Sequence, residues 1–289
     1  MKDYGSRAVR PRLKHTDPVR VALYFNPSIL SSFDEQSQKL SVVGTMYMEW
    51  VDEYLMWDPD KYGGVTLISL RTEDIWMPDI AVAERLDVGT AVVNLFQPYL
   101  IVNNTGFVIF FQQTDLTIYC RLDMRKFPFD TQICEMRLLS YSYDSNQVIL
   151  SFANTSASNE NTFRKNGVWN LKDVAVEEVE TLYTCCPFPY VEVHYQIILA
   201  RIGSFYIFSI WIPCGLLSIL ELTVFLMHPN SGEKVTLSVN NVLAFILFQQ
   251  IVVESMPRSG DDSPIIGEIN YMHGLVKIKL ISNKKHCFD

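Results

Sequence analysis

The stretch CRLDMRKFPFDTQIC, residues 120–134, decides the predicted fold of this chain. Cys120 and Cys134 enclose thirteen residues, among them Phe127, Pro128 and Phe129. Two oxidisable thiols that close such a short loop predict a structural disulfide. Because disulfides persist in oxidising compartments, the loop also predicts an extracellular, β-rich domain.

Short apolar or alternating runs surround this loop from about residue 19 to residue 201. Examples are VRVALYF, GVTLISL, GFVIFFQQ and VEVHYQIIL, each bounded by turn residues. Runs of this kind at close spacing predict an all-β, immunoglobulin-like sandwich of about ten strands. Residues 1–18 are expected to form a separate N-terminal segment.

Composition excludes several classes of protein. A chain of 289 residues with 48% hydrophobic content can bury one large domain or two smaller ones. The net charge of -8 argues against a nucleic-acid partner. The six cysteines and five histidines form no zinc-ligand spacing and no nucleophile–base motif, so neither a metal or other cofactor nor an enzyme activity is expected.

The first residues of the chain do not fit the prediction of an extracellular domain. The first residues, MKDYGSRAVRPRLKH, have no apolar core of the kind that a signal peptide needs. We therefore expect that a signal peptide is missing from this chain. Two sequons, at Asn103 and Asn154, agree with secretion and predict glycosylation.

The character of the sequence changes after Arg201. Residues 202–227 are almost uncharged and long enough to cross a bilayer at ~1.5 Å per residue, although they contain Pro213 and Glu221. A second helix is predicted over 233–257, followed by a linker to residue 269. The predicted architecture is therefore a sandwich joined to a region of membrane helices in the lipid bilayer.

Seven residues of the second predicted helix recur at intervals of three or four, which places them on one helix face. This stripe is polar at both ends and apolar in the middle, as expected for a water-filled pore with a leucine constriction. Packing of the stripe inside a membrane bundle is the alternative. The residues are Glu233, Thr236, Asn240, Leu243, Leu247, Gln250 and Glu254.

Taken together, these features resemble the pentameric Cys-loop ligand-gated ion channels. The loop at 120–134 matches the signature of that family, and WMPD at 76–79 is similar to its WxPD motif. IPC at 212–214 and SGEKVTLS at 231–238 resemble parts of its first and second membrane helices. The resemblance covers about residues 4–269 and implies a homo- or hetero-pentamer of related subunits in the plasma membrane, postsynaptic or at another cell surface.

Within this family the chain most resembles nicotinic acetylcholine receptor α-type subunits. The resemblance rests on Tyr183, the adjacent Cys185 and Cys186, and Tyr190. It implies a disulfide between the two cysteines at a hairpin tip and an aromatic box for an acetylcholine-like quaternary or primary amine, held by cation–π attraction. Two unpaired surface thiols are the alternative for the cysteines.

The chain departs from the nicotinic pattern at three aromatic positions. Tyr141 stands where those subunits have a tryptophan, and Ala83 stands where they have a tyrosine. On the complementary face, Thr45 replaces a tryptophan, and Tyr47 on the same strand face is the candidate substitute. The predicted ligand-binding set is therefore Tyr141, Tyr183, Cys185, Cys186, Tyr190 and Tyr47.

The resemblance also implies ion selectivity and a coupling route. GEK at 232–234 is typical of cation-selective members, so rings of Glu233 and Glu254 are expected to concentrate permeant cations. Glu35 and Arg201 resemble a family ion pair at the junction between the domains, with a solvated loop acid as the alternative for Glu35. The coupling contacts that the family implies are Phe127, Pro128, Phe129 and Pro264.

The resemblance ends near residue 269, and residues 270–289 form a divergent basic tail. Only two of the four membrane helices of the family are present, so we expect that the chain alone does not conduct. The leading hypothesis is a cation-conducting channel subunit. A truncated, non-conducting decoy subunit and an agonist-binding module are the alternatives.

Overall fold

Ten β-strands precede a helical region in the part of the chain that the computed structural model describes. The structure describes residues 4, 6–86, 99–153, 163–164, 166–226 and 233–254. The strands are β1 (Val19–Asp34), β2 (Lys39–Met56), β3 (Leu67–Arg71), β4 (Ile80–Val82), β5 (Tyr99–Asn103), β6 (Thr105–Tyr119), β7 (Thr131–Ser140), β8 (Val148–Phe152), β9 (Trp169–Thr181) and β10 (Tyr190–Arg201).

The strands form two sheets. One sheet has the order β3-β5-β6-β2-β1-β8, and the other has the order β4-β7-β10-β9. Strand pairs are antiparallel except β1 with β8, which run parallel. The predicted all-β sandwich of about ten strands is thus confirmed.

Several strands are longer than the apolar runs that predicted them. β1 continues through Pro27, where its register against β2 shifts between the Pro27 and Ile29 pairs. Proline cannot donate a ladder hydrogen bond, and strands commonly accommodate it at a bulge. The turn-forming residue therefore bends the strand without ending it.

The inward faces of the two sheets form one apolar core. Trp50 and Trp76 are 1% and 2% exposed, and their ring centroids lie 6.1 Å apart in an edge-to-face arrangement. The buried Tyr195 hydroxyl accepts a hydrogen bond from the Phe25 backbone N–H at 3.2 Å and donates one to the Leu23 carbonyl at 3.3 Å. These bonds join β10 of one sheet to β1 of the other.

The helical region begins three residues after the last strand. It contains α1 (Ser204–Tyr206), a π-helical segment (Ile207–Trp211), α2 (Ile212–Leu226) and α3 (Glu233–Glu254). The π-helical segment ends two residues before Pro213, whose missing N–H removes one helical hydrogen bond. Among the helices that the structure describes, none combines the length and the apolar character that a membrane crossing needs.

Candidate functional site

The hairpin between β9 and β10 carries the aromatic residues predicted to bind an agonist. Cys185 and Cys186 are joined by a disulfide at its tip, and the Cys186 N–H donates to the Tyr183 carbonyl at 3.1 Å. The rings of Tyr183 and Tyr190 meet edge to face with centroids 5.8 Å apart. The hairpin therefore presents two phenol rings beside a rigid turn.

A buried carboxylate lies beneath these rings. Glu192 of β10 is 0% exposed, and Oε1 accepts a short hydrogen bond from the Tyr183 hydroxyl. Burial opposes ionisation of Glu192, but hydrogen bonds from Tyr183 and His194 outweigh it and lower the pKa of Glu192. Because its hydroxyl donates to this carboxylate, Tyr183 has a raised pKa and stays a neutral phenol.

Tyr141 follows β7 and is 67% exposed. Asp79, from the WMPD motif, fixes the chain on both sides of it: Ser140 Oγ donates to Asp79 Oδ1 at 2.5 Å, and the Ser142 N–H donates to Oδ2 at 2.8 Å. The Tyr141 phenol also lies close enough to Tyr183 to raise its pKa electrostatically. The motif thus holds Tyr141 on the same side of the sandwich as the hairpin.

Tyr47 lies on β2, in the other sheet. Its ring contacts the ring of Phe111, its partner on β6, with centroids 5.0 Å apart, and its hydroxyl donates to Glu49 in a short hydrogen bond. Phe111 is 51% exposed. The sequence reasoning missed Phe111 and Glu49, although the two-residue period of a strand places Glu49 on the face of Tyr47.

At the end of the sandwich that meets the helices, Cys120 and Cys134 form a disulfide with an S–S distance of 2.01 Å between β6 and β7. Both cysteines are buried in the core. Hydrogen bonds inside the enclosed loop hold its shape. The Gln132 side-chain amide donates to Asp130 Oδ2 at 2.5 Å and to the Asp123 carbonyl at 2.8 Å. The disulfide and these bonds fix Asp130 at the base of the sandwich.

Arg201 ends β10 and contacts two carboxylates. Its Nε lies 2.7 Å from Asp130 Oδ1, and its Nη1 lies 2.5 Å from Glu35 Oε1. The guanidinium also lies 4.2 Å from the ring centroid of Trp169 and 4.9 Å from that of Phe127. The structure therefore brings Glu35, Arg201 and Phe127 together, and adds Asp130 and Trp169, which the sequence-based coupling set did not contain.

Phe129 packs where the last strand becomes helix. A Cβ atom placed on Gly203 would lie 2.9 Å from the Phe129 ring and 3.1 Å from the Pro128 carbonyl oxygen. A side chain at this position would therefore require the Phe129 ring or the disulfide loop to shift. Gly203 is thus a further contact of Pro128 and Phe129, and sequence alone gave no indication of it.

The predicted stripe of α3 faces away from α2. Asn241 is buried and donates from Nδ2 to the Leu217 carbonyl at 3.1 Å, and Phe245 is buried on the same side. By contrast, all seven stripe residues are exposed in this chain, and their role in a pore stays a prediction. They are Glu233, Thr236, Asn240, Leu243, Leu247, Gln250 and Glu254.

Three residues of the sequence-based prediction remain, namely Asn103, Asn154 and Pro264. Asn103 Oδ1 accepts hydrogen bonds from Thr105 Oγ1 at 2.6 Å and from the Phe107 N–H at 2.9 Å in the turn between β5 and β6. Asn154 and Pro264 lie outside the described residues. Glycosylation and the contact at Pro264 stay predictions.

The fold is a β-sandwich that carries an aromatic hairpin and is attached to a helical region. Residues 1–202 match the family model for the neurotransmitter-gated ion-channel ligand binding domain, and residues 210–275 match that for the neurotransmitter-gated ion-channel transmembrane region. The chain therefore belongs to the neurotransmitter-gated ion-channel family, which is a family of channels and not of enzymes.

Its curated relatives include acetylcholine receptor subunits. A subunit alpha of Danio rerio is 32% identical over 91% of this chain and 57% of its own length. A subunit alpha-1-A of Xenopus laevis is 32% identical over 92% and 58%, and a subunit alpha-type acr-16 of Caenorhabditis elegans is 32% identical over 92% and 53%. The chain thus spans somewhat more than half the length of these relatives.

Proposed function

We propose that this chain is part of a subunit of a neurotransmitter-gated, cation-selective ion channel of the plasma membrane, with the β-sandwich outside the cell. The observation that carries the proposal is the hairpin, where Tyr183 and Tyr190 meet beside the Cys185–Cys186 disulfide. Two phenol rings and exposed Tyr141 favour an acetylcholine-like amine, because a cation is attracted to aromatic faces.

The agonist site lies between subunits of a homo- or hetero-pentamer. Tyr47 and Phe111 occupy the outer face of the sheet that does not carry the hairpin. In a ring of related subunits, this face of one subunit meets the hairpin of the next. Glu49 beside Tyr47 adds negative charge, which favours a cationic ligand.

The exposed stripe of α3 lines the pore in this proposal. Carboxylates of Glu233 and Glu254 concentrate cations at its two ends, and Leu243 and Leu247 form the constriction. All seven stripe residues are exposed among the described residues, as a pore-lining face requires.

Movement of the agonist hairpin reaches the helices through β10. This strand starts at Tyr190 and ends at Arg201, whose side chain contacts Glu35 and Asp130. Phe129 rests on Gly203, and the Gln36 side chain donates a short hydrogen bond to the Glu254 carbonyl of α3. These contacts support a coupling route from ligand site to pore helix.

Acetylcholine binding tests the ligand half of the proposal. We expect Tyr190→Ala to weaken binding by about two- to thirtyfold, because it loses one cation–π contact of about 0.5–2 kcal/mol. Tyr190→Phe keeps the ring and is expected to bind nearly as well. Tyr62→Ala removes an exposed tyrosine from the helical turn after β2 and serves as control. Equal binding by Tyr190→Ala and the unsubstituted chain would contradict the proposed site.

Currents in cells separate the alternatives. Acetylcholine-gated cation current from this chain, alone or with an acetylcholine receptor subunit, supports a conducting subunit. Binding without current identifies an agonist-binding module. A reduced current from co-expressed full-length receptors identifies a non-conducting decoy.

A further inference from the structure

Glu192 is buried on a face of its strand that otherwise points outward. Along β10, Val193, Tyr195 and Ile197 are the inward residues of the core. Glu192 alternates with them and shares the outer face with His194. Its complete burial therefore comes from side chains that cover it on the outside of the sheet, among them Tyr183 of the agonist hairpin.

His194 is the second group that contacts this carboxylate. Its Nε2 lies 2.8 Å from Glu192 Oε2, and its Nδ1 lies 3.2 Å from Glu135 Oε1. Both ring nitrogens therefore face a carboxylate oxygen. A neutral imidazole has one N–H, whereas a protonated imidazole has two and a positive charge, so it donates from Nε2 to Glu192 and attracts the Glu135 carboxylate electrostatically.

Charged groups approach His194 from all three strands of this part of the sheet. Glu192 lies two residues before His194 on β10. Glu135 and Arg137 lie on β7, where Arg137 is the cross-strand neighbour of His194. Glu177 is its cross-strand neighbour on β9. Arg137 is bound to Glu84, with its Nε 2.5 Å from Glu84 Oε1. Two carboxylate oxygens therefore lie within 3.2 Å of the imidazole, and the neighbouring arginine is already paired.

We propose, on the basis of the agonist site proposed above, that His194 is a positioning residue for the hairpin. It holds Glu192 beneath the Tyr183 hydroxyl, and it holds Glu192 more firmly when its imidazole is protonated. The Tyr183 ring is then fixed against Tyr190 by a continuous chain of contacts from the exposed Glu135. The conformation of the hairpin, and with it the affinity of the site for its ligand, thus depends on pH.

Hydrogen–deuterium exchange of residues 182–190 tests this inference on the full chain in detergent, without any ligand. After correction for intrinsic exchange rates, we expect about three- to tenfold greater protection near pH 6 than near pH 8, the range in which histidine titrates. His194→Gln keeps a hydrogen-bonding side chain that does not titrate, and it is expected to abolish this difference. Acetylcholine affinity should follow the same pattern in both proteins.

Two further variants make the result decisive. Glu135→Gln changes a half-exposed partner, so the fold tolerates it, and it should reduce the pH difference. His15→Gln changes an exposed histidine of the N-terminal segment and should preserve it. An unchanged pH difference in His194→Gln or Glu135→Gln would overturn the inference. Absence of acetylcholine binding at every pH would instead count against the proposed function, and exchange alone would then decide the role of His194.

Discussion

Arg201 combines, in one fully buried side chain, two ion pairs and three aromatic contacts. Asp130 and Glu35 neutralise its charge, while Trp169, Phe127 and Tyr206 surround the guanidinium plane. A buried charge is tolerated only when its partners compensate for the lost hydration. Asp130, itself 1% exposed, would lose its cation and keep only the hydrogen bond from the Gln132 amide if the arginine were removed.

Substitution of Arg201 is therefore expected to destabilise the base of the sandwich. We predict a loss of about 3 kcal/mol or more in the free energy of unfolding for Arg201→Gln, because two carboxylates lose their cation. Arg201→Lys keeps the charge but not the planar fork, so its loss should be smaller. Chemical unfolding monitored by tryptophan fluorescence measures both.

Arg125 offers a matched control for Arg201. It also pairs with an aspartate, Asp123, but the two side chains are 64% and 47% exposed. Surface pairs contribute little because water screens them. A loss for Arg125→Gln as large as that for Arg201→Gln would contradict the importance of burial at the junction.

At the scale of structural elements, the two disulfides of the described residues differ in the length of the chain segment that each one encloses. Cys120–Cys134 joins the end of β6 to β7 across a sequence separation of 14. Cys185–Cys186 joins neighbours in the hairpin tip. A cross-link stabilises a fold mainly by restricting the unfolded chain, so only the first can contribute appreciably to stability.

Removing each disulfide in turn shows whether that disulfide contributes to the stability of the fold or to ligand binding. The double variant Cys120→Ala/Cys134→Ala is expected to lose about 3 kcal/mol of unfolding free energy, the value for a loop of about 15 residues. Cys185→Ser/Cys186→Ser should unfold at nearly the same denaturant concentration as the unsubstituted chain but bind acetylcholine more weakly. If the hairpin variant were the less stable of the two, this division of roles would be wrong.

On the scale of the whole molecule, polar clusters hold the two ends of the sandwich. The Arg201 cluster lies at the end that meets the helices. At the other end, the N-terminal segment docks through Glu53, which accepts hydrogen bonds at 2.6 Å from the Arg12 guanidinium and from the Leu13 N–H. Tyr4 reaches further and donates to the buried Asp52 at 2.8 Å.

Acid is expected to release the N-terminal segment from the sandwich. Partial burial opposes ionisation of Glu53, but the bonds from Leu13 and Arg12 outweigh it and lower its pKa. The stabilisation is therefore complete above the unfolded-state pKa of about 4.3 and is lost as the pH falls through the lower folded-state value. Hydrogen exchange of residues 6–17 should increase in that window. Glu53→Gln should exchange rapidly at every pH, and a protected segment in this variant would contradict the assignment.

Local sequence patterns were sufficient for the class of fold and for much of the candidate site. Two-residue alternation predicted the strands, because each strand has one face toward the core. The spacing of Cys120 and Cys134 predicted the disulfide loop, and the family resemblance supplied the hairpin residues Tyr183 and Tyr190. Strand lengths were less predictable, since pairing with β2 carries β1 through Pro27.

The sequence by itself determined the sandwich, the disulfide loop, the hairpin and the amphipathic helix, because each depends on residues that are close along the chain. Only the tertiary structure decided that Asp130 and Trp169 also surround Arg201, how closely the disulfide loop approaches Gly203 and how Glu192 is buried on an outer strand face. Asp130 and Arg201, for example, are 71 residues apart in sequence. Contacts of this kind arise only when strands from both sheets and the loops at their ends pack together, and no local pattern encodes them.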